Sequence, residues 1–194
     1  MPWRRWPEAL VVAAAAALFA TVPAELLPGP QSLQFVVAGI ELVLGAWLIV
    51  DDRRRSSLAL ISLMGAGNAT TLGFLIHQLL YSGAVQGRTL LFAAFDVWVT
   101  NVIVFALLYW ELDGSTAEPT DFAFVQMTDP DLAQNGWRPT FVDYLYVAYT
   151  NASAFSPTDT LPLTRRMKML MLLQSAVSIV TLLLVAARTV NILR

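Results

Sequence analysis

Apolar residues fill five stretches of this chain, each close to or above the roughly 20 residues that a helix needs to cross about 30 Å of hydrocarbon. The first runs from Glu8 to Leu27 and ends where Pro28-Gly29-Pro30 breaks it. The second spans Ser32 to Val50 and stops at Asp51-Asp52-Arg53-Arg54-Arg55, a run of charge that lipid excludes. The third covers Ser56 to Tyr81, and a short turn region at Ser82-Gly83 leads to the fourth, Arg88 to Trp110. The fifth is Thr164 to Ile192. Trp6, Tyr81, Trp110 and Trp137 fall near predicted ends, where amphipathic rings favour the headgroup region. The N-terminal Arg4-Arg5 and alanine run superficially resemble a signal peptide, but four further apolar segments make a retained transmembrane helix the simpler reading.

One long polar interval, Glu111 to Leu163, separates the fourth and fifth spans and exceeds the length of an ordinary connector. Its first half, Asp113 to Arg138, is acidic and rich in turn residues. The second half begins with Pro139, then Thr140 with Asp143 three residues on, a capping pattern that predicts a short helix over 140–153. Phe141, Leu145 and Ala148 recur at helical spacing, and Tyr144, Tyr146 and Tyr149 add bulk. About a dozen residues rise only about 18 Å, too little to cross a bilayer. The chain then turns through Ala154 to Asp159 and enters the last span, the pattern of a re-entrant loop, whose non-helical backbone must be buried in protein or line a wet cavity.

The residues of this interval resemble the pore module of the potassium-channel superfamily. Tyr144 to Thr150, Asn151 to Asp159 and Thr160 to Arg165 align without a gap to its pore helix, filter and exit strand. Thr150 falls on a pore-helix threonine, Asp159 on the aspartate that closes the filter, and Pro162 on the proline before the inner helix. Where the family has Thr-Val-Gly-Tyr-Gly-Asp, this chain reads Ala154-Phe155-Ser156-Pro157-Thr158-Asp159, so both filter glycines are missing. Glycine supplies the backbone freedom that turns successive carbonyls toward an ion, while Pro157 fixes φ and removes a donor. A potassium-type carbonyl ladder is therefore not expected. Asn151, Ser153, Ser156, Thr158 and Asp159 remain as candidate oxygen ligands for a hydrated or partly hydrated ion. The chain is also similar to a family of bacterial multi-pass membrane proteins to which no activity is attached.

The apolar pattern together with the resemblance divides the chain into a three-helix N-terminal membrane region, 1–86, and a pore-like region, 87–194. The latter divides into an outer helix 88–110, a polar segment 111–139, a re-entrant helix 140–153, a filter-like loop 154–163 and an inner helix 164–192. The resemblance implies a homo-oligomer, a tetramer by analogy, because one loop encloses no path alone. Along the last span Gln174, Ser178 and Thr181 form a polar stripe that reads either as pore lining or as helix packing.

Composition agrees with the membrane reading and narrows the chemistry. Of 194 residues 57% are hydrophobic and 13% charged, against about a quarter charged in soluble domains. The net charge of −2 lacks the basic clustering that nucleic acid requires. The absence of cysteine excludes disulfides and thiolate metal sites, and the single histidine argues against zinc. No phosphate loop or metalloprotease motif is present, so neither an enzyme nor a cofactor is expected, and Asp129-Pro130-Asp131 reads as a solvated turn. Asn68-Ala-Thr70 and Asn151-Ala-Ser153 match a glycosylation pattern only by chance, being at membrane depth.

Ionisable groups inside spans are costly and face protein or water. Glu41 lies midway along the second span with Asn68 near its level, whereas His77, Asp96 and Arg188 fall toward one membrane face, where an Asp96–Arg188 pair is expected. These four support an alternative reading as a proton-coupled small-solute transporter; a third is a non-conducting accessory protein. Five spans place Arg4, Arg5, Arg53–Arg55, Arg138, Arg165, Arg166 and Lys168 on one face, which the positive-inside rule makes cytoplasmic. The loop then opens toward the cytoplasm, opposite to potassium channels. The expectation is an all-α, multi-pass protein of the cell membrane: about five transmembrane helices with a re-entrant pore-type helix and loop before the last. Its partners are the lipid bilayer, small ions and its own copies.

Overall fold

The computed structural model describes residues 54–82, 87–114, 119–128, 137–153 and 160–192, with helical backbone also at 12–17, 20, 39 and 43. All but these few residues of the first two predicted spans lie outside the described part, as does Glu41. The described elements are α1 (Arg54–His77, running on into a π-helical turn at Gln78–Ser82), α2 (Gly87–Asp113), β1 (Phe122–Phe124), α3 (Val125–Thr128), α4 (Phe141–Ala152), β2 (Thr160–Pro162) and α5 (Arg165–Ile192). The fold is predominantly helical. Among the described residues three helices, Ser57–Tyr81, Thr89–Asp113 and Arg165–Ala187, are long and apolar enough to cross a membrane. They correspond to the third, fourth and fifth predicted spans, and α2 runs nearly a turn past its predicted end.

α2 is the central element, packed on α1, α4 and α5. Its neighbours α1 and α5 both run antiparallel to it. Gly65 of α1 lies against Val104, where a Cβ would stand 3.5 Å from Cγ1, while Leu75 lines a small gap with Leu90 and Ala94. On the other side Gln174 of α5 bonds Tyr109, Ser178 bonds Asn101, and Leu184 reaches the level of Leu90. The starts of α1 and α5 therefore share an end with Asp113, which gathers Arg54, Arg165, Arg166 and Lys168 there and leaves Arg88 at the opposite end.

α4 begins where the sequence predicts, with Thr140 as its cap: the Asp143 carboxylate accepts from the Thr140 amide (2.6 Å) and hydroxyl (2.8 Å). It runs along α2 from Trp110, whose ring packs on Phe141 at 5.3 Å, to Trp98, whose indole N–H donates to the Ala152 carbonyl at 3.4 Å. Gly114, at φ +78°, ends α2 by donating to the Trp110 carbonyl, a conformation that glycine adopts without penalty.

The polar segment, read from sequence as turn-rich, also supplies a two-stranded antiparallel ribbon, with Phe122, Ala123 and Phe124 opposite Pro162, Leu161 and Thr160. Strand propensity does not account for three-residue strands; an anchor does. Asp113 is buried, and its Oδ1 accepts from the Thr120 hydroxyl (2.7 Å) and from the amides of Asp121 (2.8 Å) and Phe122 (3.1 Å), while Oδ2 accepts from the Tyr144 hydroxyl. Asp121 in turn accepts from the Thr164 hydroxyl at 2.6 Å and pairs with Arg166. Around these bonds the rings of Tyr109, Phe122, Phe124, Tyr144 and Trp137 pack edge-on or tilted, with centroids 5.4–6.2 Å apart.

Asp113→Ala leaves two amides and two hydroxyls without their acceptor and should cost about 3 kcal/mol or more, with Tyr144→Phe costing about 1–2 kcal/mol. Leu80→Ala, exposed on the π-helical turn that ends α1, should stay within about 0.5 kcal/mol. Unfolding of the purified protein in detergent measures all three, and equal effects would contradict the anchor.

Candidate functional site

The polar side chains of the membrane spans converge at two places. The first is the inner end of α4. Gln174 is fully buried where α2, α4 and α5 meet, and its carbonyl oxygen accepts from the Tyr109 hydroxyl and from the Asn151 amide, both at 2.8 Å. Its own amide donates to the Ala148 carbonyl at 2.8 Å. Asn151 also donates to the Met171 carbonyl (3.0 Å) and accepts from the Ser175 hydroxyl (3.1 Å). One turn along α5, Ser178 accepts from the Asn101 amide at 2.9 Å, and that amide also reaches the Gln174 carbonyl at 3.3 Å. The network ties the tip of α4 to both long helices. Unpaired polar groups in lipid cost several kcal/mol each, so this pairing sets how the helices meet.

Gln174, Ser178 and Thr181 thus share the inner side of α5, all at most 1% exposed. Thr181 is satisfied by the Val177 carbonyl at 2.8 Å. The outer side of α5 carries Met169, Leu172, Leu173, Ile179, Val180, Leu182 and Leu183, each exposed. Of the filter-like positions, Thr150 is buried and its hydroxyl donates back to Tyr146 (2.8 Å) and Val147 (3.1 Å). Ser153, which caps α4, donates from its hydroxyl to the Tyr149 carbonyl at 2.8 Å. Phe155, Ser156, Pro157, Thr158 and Asp159 lie outside the described residues.

The second place is between α1 and α2. Asn68, Thr70 and Thr71 face Asp96 and Thr100 across a cavity of about 300 Å³, which Ala15, Leu63, Met64, Ala66 and Gly67 complete. Asp96 is 7% exposed. Among the described residues its Oδ1 has no hydrogen-bond partner, and neither has the Thr100 hydroxyl. His77, placed by the sequence toward the same membrane face as Asp96, packs on Phe74 and Tyr81, with ring centroids at 6.2 and 5.1 Å. The Arg188 side chain lies outside the described residues, so the expected Asp96–Arg188 pair does too, as does Glu41 near Asn68.

Ranking membrane-depth residues by ionisability overlooked Asn101, Tyr109 and Thr100, and reading the polar segment as turns overlooked Asp113 and Asp121. The signal for Asn101 was legible, since an amide in the middle of an apolar span needs a partner. That for Asp113 was not, because its partners are backbone amides beyond the span. No protein-family model, no curated protein and no solved structure matches the chain.

Gln174→Leu removes the acceptor of Tyr109 and Asn151 and should destabilise the protein by about 1–2 kcal/mol. Thermal unfolding in detergent checks this, and an unaltered transition would mean that the network does not hold α4 in place.

Proposed function

We propose that the chain is the subunit of an ion-conducting pore in the cell membrane, built on a re-entrant hairpin and lacking potassium-type selectivity. The observation that carries this reading is the course of α4. It starts level with Trp110 and ends level with Trp98, a descent of about 18 Å along α2. By Thr160 the chain is back at the starting end, paired with β1. A half-depth helix followed by a return is what a pore hairpin needs, and the Gln174–Asn151 network supports its inner end from behind.

With Gln174, Ser178 and Thr181 bonded inside the protomer, the oxygen ligands fall to Ser153 and the segment after it, through Asp159. The missing filter glycines argue against a carbonyl ladder, so hydroxyl and carboxylate oxygens would meet an ion that keeps part of its water. One hairpin encloses no path, so several copies, four by the resemblance, must surround it. Val142, Tyr146 and Tyr149, exposed at helical spacing on α4, and the apolar outer side of α5 are the surfaces that neighbouring copies would cover. The hairpin starts from the end that gathers the basic residues, which orients its mouth to the cytoplasm by the charge rule.

Two measurements test the reading. Purified protein in planar bilayers should pass unitary cation currents with little preference between potassium and sodium, altered by Asp159→Asn. An absence of current above protein-free membranes would overturn the pore, and strong potassium preference would overturn the argument from the glycines. Because the chain has no cysteine, Tyr146→Cys gives a single thiol. In lipid a bifunctional thiol reagent should link this variant between copies, and a product that stays monomeric would contradict the assembly.

A further inference from the structure

We infer that the cavity between α1 and α2 binds a small monovalent cation through Asp96 and Thr100, in exchange for a proton on the Asp96 carboxyl. The pore reading is not needed for this, and no current enters its test.

The argument begins with threonine. A helical threonine at membrane depth ordinarily satisfies its hydroxyl on the carbonyl one turn back. Thr70, Thr71, Thr150 and Thr181 all do so, at 2.8–3.0 Å. Thr100 does not, although it is in the middle of α2 and its hydroxyl oxygen is buried. Asp96, one turn earlier on the same face, leaves Oδ1 equally unbonded in the same cavity. A carboxylate oxygen and a hydroxyl oxygen, both desolvated and both without partners among the described residues, leave a cost that a bound cation or proton removes.

The donors on the walls define the ligand class. Described polar atoms are oxygens and one amide, from Asp96, Thr100, Asn68, Thr70 and Thr71. Hard oxygen donors suit alkali and alkaline-earth ions rather than zinc or copper. One carboxylate balances one positive charge, whereas a buried divalent ion needs more. The described side chains that face Asp96 add no other titratable group. From α1 these are Met64, Asn68 and Thr71. On the α5 side, Val177, Leu184 and Val185 pack against the apolar cluster that contains Ala93, Ala94 and Val97, the neighbours of Asp96. The volume of about 300 Å³ admits an ion with several waters.

The test uses the full chain, purified in detergent and monodisperse. Adding sodium in weak buffer, across the acidic to neutral range, should release up to about one proton per chain. N-methylglucamine at the same ionic strength should release none, and radioactive sodium should bind in step with the release. Asp96→Asn should abolish both signals. Thr100→Val, which keeps shape, should weaken sodium binding about tenfold or more, while Thr100→Ser, which keeps the hydroxyl, should restore most of it. These two threonine variants decide the matter if Asp96→Asn fails to fold. The proposal is overturned if sodium neither binds nor releases protons, if N-methylglucamine releases as many, or if both signals survive Asp96→Asn and disappear with Glu41→Gln instead.

Discussion

The end of α2 holds a carboxylate that is buried and asked to accept four hydrogen bonds. Asp113 can do this because a carboxylate offers two oxygens with several lone pairs, and because its donors come from three different parts of the chain: the turn before β1, β1 itself and α4. A span that ended in a leucine would leave the polar segment free to drift. Here the segment is tied back at its first turn, which places β1 where β2 can pair with it and Tyr144 where α4 must stand. Asp121 repeats the device one step out, joining the turn to the first residues of α5 through Thr164 and Arg166. Two acidic side chains thus fix the relative positions of α2, α4 and α5 at one end.

At the other end of α4 the tie is neutral. The Gln174 side-chain oxygen accepts from Asn151 and from Tyr109, and both amides donate to backbone carbonyls, in an interior where no water is at hand to replace a lost partner. α4 is held at both ends yet its outward residues Val142, Tyr146 and Tyr149 remain uncovered in the single chain. The energetic logic is that of a strut: strong, directional bonds toward the protein and an apolar face toward lipid or another copy.

Against this economy the Asp96–Thr100 pair is an exception. Thr70, Thr71 and Thr181 turn their hydroxyls to the backbone, and the Asn101 and Gln174 amides find acceptors; at the level of Asp96 and Thr100 a hydroxyl and a carboxylate oxygen face a cavity unbonded among the described residues. The two polar regions therefore differ in kind. The Gln174 network is closed and holds helices in place, while the Asp96 cavity is open to a ligand.

The amino-acid sequence by itself determined the helical, membrane-type character of the protein and, to within about a turn, the extents of the three long helices among the described residues, because twenty apolar residues in a row leave the backbone no choice but to bond within its own helix. The start of α4 was equally legible, since Thr140 and Asp143 satisfy each other within one turn, an interaction that involves no other part of the chain. Which way the polar stripe of α5 faces was not. Gln174, Ser178 and Thr181 are spaced alike whether they line a pore or a helix contact, and only the rotation of α5 against α2 and α4 decided that they look inward. The ribbon of β1 and β2 was invisible for a related reason: its strands are three residues each, with no period to read, and they exist because Asp113 and Asp121 position them. The same holds for Asp96, whose place in the sequence marked it as costly but whose surroundings, a cavity with an unbonded threonine beside it, arise from how α1 and α2 pack, close at Gly65 and Val104 and apart around Asn68 and Asp96, and nowhere in the order of residues.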